Sequence, residues 1–365
     1  MSPATSLPRW ADVVLLPALN VALAFLAAGL VVLAIGENPL EATALLLRGA
    51  LGHAEGLGFT LYYATNFVFT GLAVAVAFHA GLFNIGGEGQ AMLGGIGAAA
   101  AALALGHLPG AVALPAAILA AALCGAGWAA VPGWLQARRG SHVVITTIMF
   151  NFIASALLVY LLVDVLRPEG MMEPSSRGFA SGARLPFIHE AVAPLGLALP
   201  KTPLNLAFPL ALLAALLVWL LIYRSRLGYM IRIVGANPEA ARYAGISPAK
   251  ITVLAMAISG ALAGMMAVNE ILGVQHRLLL AFTAGYGFVG IAVALMGRGH
   301  PAGIVLAALL FGVLYQGGTE LAFDKPNISR DMIVVIQGLV VLFAGALEFM
   351  LRPALARLMQ RRRRC

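Results

Sequence analysis

Apolar stretches long enough to cross the roughly 30 Å hydrocarbon core of a bilayer recur from Val13 to Met350. Within lipid every backbone N–H and C=O must find a partner inside the protein, which leaves helices or closed barrels. Stretches of this length fit helices. The candidate spans are Val13–Ile35, Leu61–Ala80, Gln90–Gly106, Ala111–Leu135, Val143–Val163, Leu204–Tyr223, Ile251–Leu272, Gly285–Gly297, Pro301–Gln316 and Asp331–Met350. An all-α, polytopic membrane domain of about ten transmembrane helices over residues 1–365 is therefore expected. The eighth and ninth stretches fall short of the roughly 17 residues of a full crossing, so they read as re-entrant or buried. The first is longer than the roughly 7 to 15 residues of a signal-peptide core and reads as a retained span. Charged residues make up only 10% of the chain, against roughly 25% in soluble domains, which excludes an ordinary water-exposed surface.

Basic residues set the orientation, because they concentrate on the cytoplasmic side. With both termini inside, the cytoplasmic segments hold 15 of the 23 basic residues, among them Arg138, Arg139, Arg224, Arg226, Arg232, Arg242 and Arg361 to Arg364. The terminal arginine run fits anionic lipid headgroups rather than nucleic acid. The outside stretch 164–203 carries prolines at 168, 174, 186, 194, 200 and 203, which prevent a long helix. It is expected to fold as a cap or docking loop. Cys124 and Cys365 support neither a disulfide framework nor a zinc site, and the seven histidines are scattered, so no metal centre is expected.

Ala80-Gly-Leu-Phe-Asn-Ile-Gly-Gly-Glu-Gly-Gln-Ala-Met-Leu-Gly-Gly-Ile-Gly97 holds seven glycines, a composition that disfavours continuous helix. Irregular backbone at membrane depth is tolerated where it is buried or lines a cavity, and Asn84, Glu88 and Gln90 would then face that cavity. The alternative is an ordinary turn with a hydrated Glu88, with Gly94, Gly95 and Gly97 serving helix packing. Similar glycine-punctuated segments follow at Thr283–Phe288 and Gly297–Gly303, and interrupted segments in both halves point to a transport site. Phe282, Tyr286 and Phe288 either stack on a planar solute or fill the core. Thr147 and Asn151 share one helical face at a spacing of four, where they either line a pathway or bond a neighbouring helix.

Residues 224–250 form the most informative loop. Asn237 suits a helix cap, Pro238 its first position, Glu239 its dipole and Gly245 its end, with Ser247 and Pro248 starting the next span. A short stiff cytoplasmic helix of about two turns is expected, either transmitting movement from a partner or simply capping a surface loop.

Three segments resemble ATP-binding-cassette importer permeases of the branched-chain amino acid, ribose and nucleoside group. Arg226-Leu-Gly through Gly235-Ala-Asn-Pro-Glu-Ala-Ala-Arg-Tyr-Ala-Gly-Ile246 is similar to that group's cytoplasmic coupling segment, and Gly81-Leu-Phe-Asn-Ile-Gly-Gly-Glu-Gly-Gln90 resembles its nucleoside (simple sugar) type. Tyr286-Gly-Phe-Val-Gly-Ile-Ala-Val-Ala-Leu-Met-Gly297 is similar to a third segment. The resemblance implies a bacterial inner-membrane transport subunit with no ATPase of its own, paired with a second related permease, a cytoplasmic ATPase that uses the ATP, and an external solute-binding lipoprotein. It implies that Asn237, Pro238, Glu239, Ala240, Ala241, Arg242 and Gly245 couple to the ATPase. The only lysines, Lys201, Lys250 and Lys325, lie in no Gly-x-x-x-x-Gly-Lys-Ser/Thr loop. Nucleosides are the expected solute, with simple sugars or branched-chain amino acids as alternatives.

Two other classes compete. An ion-coupled secondary transporter would draw on Glu88 and Glu270, since an acid at membrane depth is costly. An intramembrane hydrolase has no His-Glu-x-x-His or Gly-x-Ser-x-Gly, and its four aspartates, Asp12, Asp164, Asp324 and Asp331, lie at span ends or in loops.

Overall fold

The computed structural model describes residues 15–325 continuously, together with 8, 11, 327–328, 332–339, 342 and 355. The C-terminal arginine run, Cys365 and much of the tenth candidate span lie outside the described residues. Among the described residues the regular elements are helices, joined by two isolated β-bridges. Seven helices among the described residues are long and apolar enough to cross a membrane, or eight if one sharply bent pair counts as a span, which does not confirm the expected count of about ten. The chain forms two compact units, residues 1–56 with 313–365, and residues 57–312.

In the first unit, α1 (Leu16–Ala34) and α2 (Pro39–Leu51) form the bent pair, turning by 117°. Gly36 makes the corner at φ +89°. Asn38 restarts the helix, its Oδ1 accepting from Leu40 N at 3.0 Å, with Pro39 preorganising the first turn. Ala24, Ala28 and Val32 of α1 recur at a spacing of four and bury against Ala42 and Leu46 of α2, Leu314, Leu321, Ile333 and Ile336. Lys325 clamps the corner, with Nζ 3.2 Å from Glu37 and 3.1 Å from Glu41. Asn327 also donates to Glu37 at 3.0 Å. The Asn327 bond and the Lys325 ammonium hold Glu37 below the usual carboxylate range, and the two carboxylates hold Lys325 above the usual ammonium value.

In the second unit, α4 (Gly87–Leu105), α5 (Gly110–Arg139) and α11 (Pro248–Ala267) pack closely. Ala113, Ala117, Ala121, Gly125, Ala129 and Gly133 repeat every four residues on the buried face of α5. A Cβ on Gly94 would run into the backbone of Gly264, and one on Gly260 into the backbone of Gly125. Small residues let these backbones approach, as lipid-embedded helices require. α8 (Ala207–Arg224) has the matching asymmetry: Ala207, Ala211 and Ala215 are buried while Leu212, Leu213, Leu216, Leu217 and Leu220 are exposed. A helix that buries its small residues and presents leucines outward is suited to hydrocarbon, not water.

α6 (Val143–Tyr160) continues as the π-helical turn Leu161–Val165, and α11 continues as the π-helical segment Val268–Gln275. The stretch expected as a cap holds the short α7 (Ile188–Val192) and two 3-10 turns. It docks on the end of the α11 extension through Ser176 N to Leu278 O at 3.0 Å, Phe179 N to His276 O at 2.7 Å and Leu185 N to Leu272 O at 2.8 Å.

α9 (Arg226–Ala236) and α10 (Pro238–Tyr243) follow α8. The loop reading had no place for α9, which begins where Ser225 Oγ accepts from Gly228 N at 3.0 Å. The eighth stretch stays short as α12 (Tyr286–Met296), but the ninth is the full-length α13 (Pro301–Asp324), 24 residues rather than a re-entrant piece. α3 (Ala54–His79) starts earlier than expected.

Candidate functional site

The glycine-rich constellation divides into a break and a helix. Gly81 adopts φ +72° beyond α3, and irregular backbone runs to Gly86. From Gly87 the helix is continuous through Gly94, Gly95 and Gly97, which corrects the expectation of interrupted backbone there. Those glycines admit neighbours instead: a Cβ on Gly95 would meet the Phe282 ring, and one on Gly97 would meet Cys124 Sγ at 2.5 Å.

Asn84 shapes the break. Its Oδ1 accepts from Gly86 N at 2.9 Å and from Gln90 Nε2 at 2.9 Å, while its Nδ2 donates to Gln90 Oε1 at 2.9 Å and to Ser259 Oγ at 2.8 Å. Ser259, on α11, donates onward to Ala73 O of α3 at 2.6 Å. Asn151, on α6, holds the other side: its Nδ2 donates to Ile85 O at 3.0 Å and its Oδ1 accepts from Gly89 N at 2.9 Å. Two of the backbone donors left without helical partners at the start of α4 are thus satisfied by side chains, Gly86 N by Asn84 and Gly89 N by Asn151 of α6. Thr147 is buried one turn before Asn151, its hydroxyl donating to Val144 O at 3.1 Å.

Glu88 joins this break to the second glycine-punctuated segment. Gly285 turns the chain at φ +79°, and α12 starts at Tyr286. Glu88 Oε1 accepts from Gly285 N at 3.0 Å and Oε2 from Gly287 N at 2.9 Å. At 6% exposure the side chain is not a hydrated turn residue. Two helix starts, α4 and α12, meet around one acidic side chain, where the partial positive charge of each N-terminus favours an anion. Close contact of Gly287 with the Glu88 backbone leaves no room for a Cβ.

The structure brings Asn84, Glu88, Gln90, Asn151 and Tyr286 together through these bonds and elements. Tyr286 and Phe282 are buried, Tyr286 meeting Phe67 edge-on at 5.5 Å between ring centroids. Phe288 is half-exposed. A surface cavity of about 610 Å³ at Gly106–Gly110 and Ala180–Pro186 is lined by none of these residues.

A second buried polar group was only half visible in sequence. Glu270, 4% exposed on the π-helical extension of α11, accepts at Oε1 from Tyr62 Oη at 2.7 Å and from Asn66 Nδ2 at 2.6 Å. Asn269 Nδ2 donates to Asn66 Oδ1 at 2.8 Å, and Asn205 Nδ2 donates to Asn269 Oδ1 at 2.9 Å. Tyr62 and Asn66 lie four apart on α3, a spacing that put them on one face without indicating their partners.

The second predicted cluster is the α9–α10 corner. Asn237 Oδ1 accepts from Glu239 N at 2.9 Å and Ala240 N at 3.1 Å, Pro238 takes the first position and Gly245 exits at φ +76°. Ala241 is buried, whereas Glu239, Arg242 and Tyr243 are exposed, Tyr243 at 94%.

Comparison with known proteins gives these features a family. Residues 56–345 match the family model described as branched-chain amino acid transport system / permease component. A glucose ABC transporter permease protein of Haloferax volcanii is 34% identical over 96% of this chain and 92% of its own length. A guanosine ABC transporter permease protein of Bacillus subtilis is 34% identical over 91% of this chain and 93% of its own. A nucleoside ABC transporter permease protein of Lactococcus lactis subsp. cremoris is 32% identical over 94% of each. No solved structure matches the chain. A multi-pass helical protein with broken, side-chain-capped helix starts, matched along most of its length in this way, belongs to the permease-component family of the branched-chain amino acid type of ABC transport system.

Proposed function

We propose that this chain is the permease subunit of an ATP-driven importer that moves nucleosides across a bacterial inner membrane, with both termini cytoplasmic. The observation that carries the reading is the alignment of guanosine and nucleoside permeases with 91% and 94% of the chain. A glucose permease of equal identity supports simple sugars as the second reading. ATP hydrolysis belongs to a separate cytoplasmic ATPase, since none of the three lysines sits in a phosphate-cradling loop. A second related permease and an external solute-binding lipoprotein complete the assembly.

In this reading α10 is the coupling helix. Its exposed Glu239, Arg242 and Tyr243 offer a charged and aromatic face to the ATPase, while the Asn237 cap and the buried Ala241 fix it as a stiff lever. Movement of α10 passes directly into α11, whose Ser259 bonds Asn84 at the break. The Asn84, Glu88, Gln90, Thr147 and Asn151 group, with Phe282 and Tyr286, then lines the pathway or its gate, and rearranges as the spans tilt between outward- and inward-facing states.

Replacing residues 237–245 with a flexible linker tests the lever: uptake by the complete complex is abolished while membrane insertion persists, and intact uptake refutes it. A competition panel in vesicles holding the complete complex tests the solute. Purine nucleosides displace labelled guanosine and glucose does not; the reverse pattern selects the sugar reading.

A further inference from the structure

Glu270 sits inside the Pro248–Gln275 span, and no ion pair reaches it among the described residues. Amides alone suffice to tie helices together. A carboxyl at membrane depth is far costlier than an amide and is by default a functional group. Its surroundings are specific. Both donors, Tyr62 Oη and Asn66 Nδ2, fall on Oε1, so the second oxygen keeps its acceptor capacity. Asn66, Asn205 and Asn269 extend a row of amides beside it, whose donors are spent in this conformation on one another, on Tyr62 O and on Pro203 O, and come free for a solute only when the helices part. Aromatic rings adjoin the row: Tyr63 lies 5.1 Å from Tyr62 between centroids, and Phe67, one residue beyond Asn66, meets Tyr286 and Phe311 edge-on at 5.5 and 5.8 Å. The carboxyl is carried on π-helical turns, irregular backbone of the kind found at functional sites in helices.

We infer that the Glu270 cluster is the solute-hydroxyl site of the permease, Glu270 accepting from the vicinal hydroxyls of a ribose-type solute and Asn66 and Asn269 supplying the flanking amide contacts. The inference rests on the nucleoside reading above and adds to it the residues that recognise the sugar. The neighbouring aromatic rings give the planar part of such a solute an apolar surface. A neutral polyol suits the site better than a cation: among the described residues no group of three or more acidic, histidine or cysteine side chains exists to hold a metal ion. The cluster is occluded in the present conformation, so the solute reaches it when α3 and the α11 extension part.

The test compares guanosine with 2′-deoxyguanosine in proteoliposomes holding the complete complex, at saturating solute so that external capture does not set the rate. The native complex moves guanosine faster. Glu270→Gln, which keeps an oxygen for Tyr62 and Asn66, slows guanosine by about tenfold or more and brings the two rates together, because a site built around a hydroxyl discriminates strongly against its absence. Tyr62→Phe shifts the ratio in the same direction by a smaller factor, and it decides the matter if the glutamine variant fails to assemble. Equal slowing of both solutes, an unchanged ratio, or a native complex that moves both at one rate overturns the inference while leaving the importer reading intact. A native complex that moves neither nucleoside overturns the importer reading and this inference with it.

Discussion

Replacing Glu88 with alanine removes the acceptor for two backbone donors at once, the buried Gly287 N and the part-buried Gly285 N. An orphaned buried donor costs about 1 to 3 kcal/mol, so Gly287 N alone predicts a loss in that range and the part-buried Gly285 N adds a smaller amount. Loss of the anion at the start of α12 adds about 0.3 to 1 kcal/mol. Glu88→Gln retains one oxygen but turns an amide NH₂ toward the other N–H, and it falls between alanine and the native protein. Equilibrium unfolding of the detergent-solubilised chain reads the total, and amide hydrogen exchange at residues 285–289 localises it. The predicted signature is accelerated exchange at Gly285 and Gly287 in both variants, larger for alanine. Native-like stability and protection in Glu88→Ala would refute the capping argument, whatever happens to transport.

Three further outcomes follow from the geometry. Gly94→Ala drives a Cβ into the Gly264 backbone and costs about 1 to 3 kcal/mol, whereas Gly127→Ala in α5, with nothing within 4 Å of the added carbon, stabilises by about 0.5 to 1 kcal/mol; paired melting curves separate the two. Asn237→Ala removes the α10 cap, costs about 1 kcal/mol of local stability and raises exchange at Glu239 and Ala240. Burial holds His276 below the usual histidine value, with Arg184 adding to the effect and the Leu272 carbonyl and Glu190 opposing it. The folded state therefore resists a proton that the undocked state accepts, so docking of the cap is strongest above the ordinary histidine value and weakens as pH falls through it. Limited proteolysis within residues 166–200 should accelerate on acidification in the native chain and not in His276→Gln.

Sequence periodicity located most spans because lipid-facing helices are uniformly apolar, and the Asn237–Pro238 start was readable because capping is local chemistry. It failed where local signals conflicted with tertiary context. The ninth stretch was bounded at Gln316, but Gly317 and Gly318 lie inside α13, where a Cβ would strike the Leu46 carbonyl and the Ile333 side chain. Their role is close approach, not a turn. α2 escaped notice because Glu41 and Arg48 interrupt its apolar run, although they complement its dipole. In the candidate site, the glycines marked the breaks and Asn84, Glu88 and Asn151 were identifiable as polar residues in apolar surroundings. That Glu88 reaches Gly285 and Gly287, 197 and 199 residues away, has no local signature. The same holds for Tyr62 and Glu270, separated by 208 residues.

In the proposed importer this chain supplies a pathway and draws its energy from a separate ATPase. Guanosine uptake into proteoliposomes holding the complete complex tests it most directly, measured with and without ATP on the ATPase side and with and without a protonophore. Uptake is expected to stop without ATP and to be indifferent to the protonophore. Uptake that persists without ATP and collapses with the proton gradient would contradict it.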